Sequence, residues 1–399
     1  MNDAIHVSTG TIYACPEMRA EERAALAHID VLRKDLRFYV AEPRRWLGPV
    51  RKVLAARAIQ GSNSIEGFNV SVEDAVAALE GDEPTEANAS NWTAVTNYRR
   101  AMTYVLQLAH DDHFNYSPSL LRSLHFMMTE YDLEASPGLW RPGPTWVLNE
   151  TSGEVVYEGP ENDMVPSLID ALVSQLDADE RHDSMVRAAM AHLNLVMIHP
   201  FRDGNGRMAR CLQTLVLARQ GILVPEFCSI EEYLGRNTQS YYQILAEVGT
   251  GTWNPRNDAR PWVRYCLQAH YVQAASVLRR VRESERIWTF LESSVVEAGL
   301  PPRAIEALFD ATIGMKVRNA SYRSSMKRAG EEISNQTATN DLRVMVDAGL
   351  LTKQGSKRGT FYLASKNLMK VYADLRRERQ PIMTDHLFDL SEFEKPSLF

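Results

Sequence analysis

Apolar residues recur at three- and four-residue spacing along most of the chain, the pattern of helices that bury one face. This spacing predicts helices over residues 20–38, 45–66, 71–80, 90–110, 117–130, 164–177, 183–198, 206–220, 237–248 and 260–290. Strand-type runs are few. Trp146–Val147–Leu148 and Val155–Val156–Tyr157 flank a polar turn from Asn149 to Gly153, which predicts a hairpin. Farther on, Ser334 or Asn335 opens a helix with apolar Ala338, Leu342, Met345 and Val346, and Gly349 closes it. Leu350–Leu351 then lead into a second hairpin tipped by Gly355, Ser356, Lys357, Arg358 and Gly359. A helix followed by a basic-tipped hairpin is the order of a winged helix-turn-helix. The expected fold class is mostly α, with composition breaks near Gly81–Pro84 and Trp253–Arg260.

Composition narrows the setting. At 399 residues, 45% of them hydrophobic and 24% charged, the chain has room for two or three globular domains. No apolar run reaches the ~18 residues that span a bilayer, so no membrane role is expected. Met1 to Met18 has neither a basic start nor an apolar stretch, so the expected address is the cytoplasm. Cys15, Cys211, Cys228 and Cys266 lie apart with no CxxC pairing, which fits a reducing compartment and gives no zinc pattern. A net charge of -7 argues against nonspecific nucleic-acid binding by the whole chain but leaves room for a local basic patch.

The richest chemistry lies in His199-Pro-Phe-Arg-Asp-Gly-Asn-Gly-Arg-Met-Ala-Arg210. Pro200 biases His199 out of helical geometry and ends the preceding apolar helix. A second helix opens near Gly206, so the stretch joins two buried helices by a short loop. Gly204, Asn205 and Gly206 can turn backbone N–H groups toward one anion at the positive end of that helix. Arg207 and Arg210, three apart, project from one face and can clamp phosphate oxygens. Asp203 offers the single carboxylate that Mg²⁺ uses when phosphates supply its other ligands. His199, with an ordinary pKa of ~6.5, suits a general base. Gly204-x-Gly206-x-x-Ala209 also matches a dinucleotide fingerprint, but no strand directly precedes it and the chain lacks alternating strands and helices. No GxxxxGK[ST] occurs, which excludes a P-loop. His192, seven residues before His199, reads as a hydrogen-bonded helix residue rather than a metal ligand.

This stretch resembles the full signature of the Fic (Fido-fold) family, HPFx[D/E]GNGRxxR, at every defined position. The resemblance, weaker over about residues 102–271, implies a helical-bundle core that transfers AMP from Mg-ATP to a Ser, Thr or Tyr hydroxyl of a target protein. It implies His199 as base, Asp203 as the Mg²⁺ ligand, Gly204, Asn205, Gly206 and Arg207 as phosphate binders, and Arg210 as the residue that positions the γ-phosphate. The implied organisation is an N-terminal helical region (1–95), a catalytic core (96–270), a linker helix (271–285), the winged helix (286–370) and a tail (371–399).

Ser62-Asn-Ser-Ile-Glu66-Gly67 taken alone reads as a frayed helix end with a glycine cap. Beside the signature it resembles the family's inhibitory [S/T]xxxE[G/N] motif, with Ser62 and Glu66 on one helix face. Glu66 is then expected to form a bidentate pair with Arg210 and displace the nucleotide's phosphates. Glu66 orienting water for AMP removal is the alternative role. The first hairpin is expected to act as the family's flap, with Val147, Leu148, Val155 and Val156 holding the target segment as an added strand. Asn237, Tyr241 and Tyr242 are the candidates for an adenine pocket. The winged helix is expected either to bind DNA, through Asn335, Gln336, Thr339, Asn340 and Arg343 with Lys353, Lys357 and Arg358 on phosphates, or to dock protein, including a second copy as a homodimer. Self-modification would fall on hydroxyls such as Ser321, Tyr322, Thr337 or Thr339. A DNA-binding regulator with a nucleotide-sensing core is the rival from another functional class.

Overall fold

The computed structural model describes residues 12–390, except 43, 85, 149–151, 179–181 and 222–224. The first hairpin's turn at Asn149 therefore lies outside the described residues, as does the chain beyond residue 390. In order, the helices are α1 (Ala20–Ala41), α2 (Leu47–Ile65), α3 (Val72–Glu80), α4 (Ala89–Leu108), α5 (Pro118–Thr129), α6 (Val165–Ala178), α7 (Ser184–Ile198), α8 (Asn205–Arg219), α9 (Pro225–Cys228), α10 (Glu231–Arg236), α11 (Thr238–Gly249), α12 (Arg260–Glu297), α13 (Ala304–Thr312), α14 (Asn319–Arg328), α15 (Asn335–Asp347) and α16 (Lys366–Arg377). Strands β1 (Trp146–Leu148) and β2 (Val155–Glu158) form one antiparallel hairpin, and β3 (Leu351–Gln354) and β4 (Phe361–Ala364) another. The chain is mostly α, as its periodicity predicts.

The chain divides into two compact units. One holds residues 1–33, 56–274 and 384–399; the other holds 34–55 and 275–383.

The first unit is built around α7 and α8. Asp183 caps α7 by accepting from the Met185 N–H at 2.8 Å. Thirteen of the fifteen residues of α7 are buried, as are thirteen of fifteen in α8. Such all-round burial needs neighbours on every side. α4 and α5 pack on α8, α6 packs on α7, and the Trp262 indole N–H of α12 donates to the Ala189 carbonyl at 2.7 Å. Each fully buried Leu, Val, Ile or Met in this centre contributes about 1.5–3 kcal/mol, which makes the α7–α8 loop a rigid place to mount chemistry.

In the second unit, α14 packs on α15, and α13 packs on both and on β4. Ser334 caps α15 through the Thr337 N–H, as its sequence predicts. Val317 pairs in both directions with Tyr362, which adds a third short extended segment beside the β3–β4 hairpin.

Candidate active site

His199 caps α7 in the left-handed region, with φ 50° and ψ 57°. Pro200 favours an extended predecessor; the helix ends at His199 as predicted, but by a left-handed turn. A non-glycine residue held there costs about 1–3 kcal/mol and persists only where its surroundings fix it. Arg141 supplies that fixation. Its Nε donates to the His199 carbonyl at 2.8 Å and its backbone N–H to the Pro200 carbonyl at 2.9 Å. Its two terminal nitrogens donate to the carbonyls of Gly143 and Pro160, at the base of the first hairpin.

The imidazole is oriented for proton removal. His199 Nδ1 lies 3.1 Å from the Val196 carbonyl, which can only accept, so Nδ1 carries the hydrogen and Nε2 keeps its lone pair. Burial lowers the pKa below the usual imidazole value, against the pull of the Val196 carbonyl, and the nearby Arg141 charge lowers it further. At neutral pH the imidazole is therefore unprotonated.

The loop is braced from within. Asn205 Nδ2 donates to the Phe201 carbonyl and Asn205 Oδ1 accepts from the Phe201 N–H, both at 2.9 Å. The Asn205 side chain is thus committed to shaping the loop, and only its backbone N–H remains for an anion. His125 holds the loop from outside. Its Nδ1 accepts from the Gly138 N–H at 2.9 Å, so its Nε2 carries the hydrogen and donates to the Asp203 carbonyl at 2.9 Å. Its ring stacks on Phe201 at 3.8 Å.

Gly204 precedes α8 with φ 74°, a conformation suited to glycine. The first N–H groups of α8 have no intrahelical acceptor and open toward one point. Arg207 and Arg210 are each 1% exposed, so both point inward. Arg207 Nη1 reaches the Tyr131 hydroxyl at 3.3 Å, its guanidinium lies over Phe68, and Nη2 is 3.8 Å from Asp203. Arg210 Nε donates to Ser62 Oγ at 2.8 Å, and its Nη2 donates to the Ser62 carbonyl at 2.9 Å and to Glu66 Oε1 at 2.7 Å. Arg207 Nε and Arg210 Nη1 are buried without a hydrogen-bond partner. A buried unpartnered donor is costly.

Glu66 already sits at the anion position. A Cβ on Gly206 would lie 2.3 Å from Glu66 Oε1 and 3.1 Å from Arg210 Nη1, so only glycine lets the carboxylate settle on the start of α8. Burial works against the Arg210 charge, but Glu66, together with Tyr241 and Tyr98, more than offsets it and holds the guanidinium ionised. The pair is single-pronged rather than bidentate: Ser62 takes Nε and shares Nη2 with Glu66, and Nη1 makes no hydrogen bond. Tyr242 fastens the end of α2 by donating to the Ile65 carbonyl at 3.1 Å.

Asn237 donates to the Tyr233 carbonyl at 2.8 Å. Tyr241 is 1% exposed, with its hydroxyl 2.9 Å from His192 Nε2 and its ring against Trp262, so it is a core residue. Tyr242 remains 44% exposed. His192 is held at both ring nitrogens, by Gln213 and Tyr241. In the hairpin, Leu148, Val155 and Val156 are exposed and Val147 is half-buried. The buried Tyr157 donates to the Met197 carbonyl at 2.8 Å and so anchors the hairpin to the helix that carries His199.

Sequence reasoning missed Arg141, His125 and Glu231. Glu231 is buried behind Arg210, accepting from the Tyr98 and Thr214 hydroxyls at 2.9 and 2.8 Å, and burial raises its pKa. A glutamate in an acidic, helical stretch gives no sign of such a role. Asp203 is the opposite case, predicted and found with its side chain 59% exposed.

Buried histidines, His125 and His192 among them, make stability pH-dependent. Burial lowers His125 to about 4 and His192 to about 3. The unfolded chain takes up these protons below about pH 6.5, while the folded chain resists them until far lower. Stability is then complete above pH 6.5 and falls as pH drops toward 4. Thermal melts should show Tm falling between pH 7 and pH 5, and falling less in His125→Phe; an unchanged slope in that variant would contradict the assignment.

Residues 115–217 match the Fic/DOC family model. Protein adenylyltransferase fic-1 of Caenorhabditis elegans is 41% identical over 83 residues, which is 21% of this chain and 14% of that protein. A probable protein adenylyltransferase of Aquifex aeolicus is 33% identical over 95 residues, 24% of this chain and 27% of that one. The chain therefore matches only a small part of the length of these relatives. Among solved structures, a Fic family protein from Desulfovibrio desulfuricans aligns over 88% of this chain and 98% of its own, with TM-score 0.54 and 19% identity. Fic-1 from Caenorhabditis elegans aligns over 67% of this chain and 73% of that one, with TM-score 0.53 and 23% identity. At these identities the structural likeness speaks for the fold alone. Residues 115–217, the His199–Arg210 loop among them, are thus similar to the Fic/DOC family domain in sequence, and the chain shares the fold of solved Fic proteins.

Proposed function

We propose that this chain transfers AMP from ATP to a hydroxyl side chain of a protein, and that Glu66 holds the enzyme inhibited. The observation that carries this reading is the carboxylate of Glu66 resting on the start of α8 and on Arg210, whose buried Nη1 has no hydrogen-bond partner. An anion site is built there, and a residue of the chain fills it. The names of the matched relatives, protein adenylyltransferases, support the same chemistry.

In this reading ATP binds through its phosphates to the α8 N–H groups, Arg207 and Arg210. The target hydroxyl oxygen bonds to the α-phosphorus. The bond from that phosphorus to the bridging oxygen breaks, pyrophosphate leaves, and the hydroxyl proton passes to His199 Nε2. Positioning and fixed electrostatics are what such a transfer requires of the protein. Asp203, a single exposed carboxylate at the loop, is the residue that would hold Mg²⁺. The ion would offset charge on the departing pyrophosphate. The exposed apolar face of the β1–β2 hairpin, anchored through Tyr157, would receive the target segment as an added strand. Of the adenine candidates, Tyr242 is the one with an exposed ring, whereas Tyr241 is occupied in the core.

Incubation with ATP labelled at the α-phosphate and Mg²⁺ should label the protein itself or proteins of a lysate, and EDTA should abolish that label. Labelling that persists undiminished in EDTA would overturn the role given to Asp203 and the metal.

A further inference from the structure

The second unit presents a basic surface that the sequence alone disguises. Residues 304–364 carry nine Lys and Arg and six Asp and Glu, a net charge of +3 in a chain whose total is -7. Three of those six acids are withdrawn from the surface. Asp341, on α15, is 5% exposed; it pairs with Arg303 Nε at 2.7 Å and Nη2 at 3.1 Å and accepts from the Tyr322 hydroxyl. Asp310 accepts from Lys52 at 3.3 Å, and Glu306 lies 3.9 Å from Arg45, both buried. Glu331, Glu332 and Asp347 are the acids left facing solvent, whereas Arg323, Lys327, Arg328, Arg343, Lys353 and Lys357 are all exposed.

The polar face of α15 is arranged as a stripe. Ala338, Leu342 and Met345 are buried, and Gln336, Thr339, Asn340 and Arg343 stand exposed on the opposite side. Asn319, at the start of α14, donates to the Asn335 carbonyl and to Thr339, fixing the angle at which α15 leaves the module. Amide side chains and arginine are the groups that read adenine and guanine edges in a major groove. The exposed Lys353 and Lys357 stand on the adjacent hairpin, where a wing meets the phosphate backbone.

We propose that residues 304–364 act as a winged helix-turn-helix that binds duplex DNA, with α15 in the major groove and the β3–β4 hairpin on phosphates. The proposal goes beyond AMP transfer and does not depend on it. Charge favours DNA over a protein partner: with Asp341 buried, α15 and its hairpin expose Arg343, Lys353 and Lys357 against one acid, Asp347.

The test uses the full chain and a fluorescent duplex of random sequence, about two helical turns long, followed by anisotropy over a range of salt concentrations. The expected result is binding that weakens steeply as salt rises. Replacing Lys353 and Lys357 together by Glu should lower the slope of log affinity against log salt by about two, one for each phosphate no longer neutralised. On a duplex selected for tight binding, Arg343→Ala should weaken affinity about tenfold. Melting temperature and AMP transfer serve as controls and should not change in these variants. Absence of binding at the lowest salt would overturn the proposal. So would an undiminished salt slope in the double variant, or substitutions that abolish self-association while DNA stays unbound, since the face would then be a protein-docking surface.

Discussion

His199→Ala is expected to lower AMP transfer by ~10²–10⁴-fold, the contribution typical of a positioned general base. The expectation rests on Nε2, which is left as the acceptor because Nδ1 is committed to the Val196 carbonyl. Arg141 holds the carbonyls of His199 and of the following Pro200, which fixes the backbone that carries the ring. The same geometry fixes the pH dependence in the uninhibited enzyme. The base works only when neutral, and burial lowers its pKa. The rate should climb with pH through a midpoint below about 6.5 and then level off. Single-turnover rates across pH, with and without the substitution, measure both effects. A His199→Ala enzyme with the acid limb intact would place the base elsewhere.

Glu66→Gly is expected to move the rate the other way, by about a hundredfold, the usual scale for correcting a misplacement of ~1 Å at the reacting centre. With the carboxylate gone, Arg210 Nη2 and the start of α8 are released to the nucleotide's phosphates. The substitution should also carry a cost. Arg210 is a fully buried cation, and Glu66 is the carboxylate that touches it. Removing one partner of such a pair destabilises by several kcal/mol unless another anion replaces it. The variant should melt lower than the parent without ATP and recover when ATP is added. Faster transfer and ATP-dependent recovery together would tie inhibition to the occupied anion position. A variant that melts normally and transfers no faster would separate Glu66 from both.

Much of this site was legible because its chemistry is contiguous. Twelve residues from His199 to Arg210 carry the base, the carboxylate, the turn and both arginines, and the flanking apolar periodicity places them between two buried helices. What was not legible came from groups distant in sequence. Arg141 and His125 reach the loop across 58 and 78 residues. Neither carries a local pattern that distinguishes it from an ordinary helix or loop residue. Side-chain allegiance was equally hidden. Asn205 spends its amide on Phe201, Ser62 shares Arg210 with Glu66, and Tyr241 is drawn into the core by His192 and Trp262. Asp341 shows the same limit in the second unit, reading as a surface charge until Arg303 and Tyr322 enclose it.

In the proposed reaction the α7–α8 loop directs the α-phosphorus, not the γ-phosphorus, toward a hydroxyl. It is tested most directly by giving the Glu66→Gly protein ATP labelled at one position or the other. Label should enter protein from α-labelled ATP alone and disappear when His199→Ala is added. Label arriving from the γ-phosphate, or surviving the removal of His199, would contradict it.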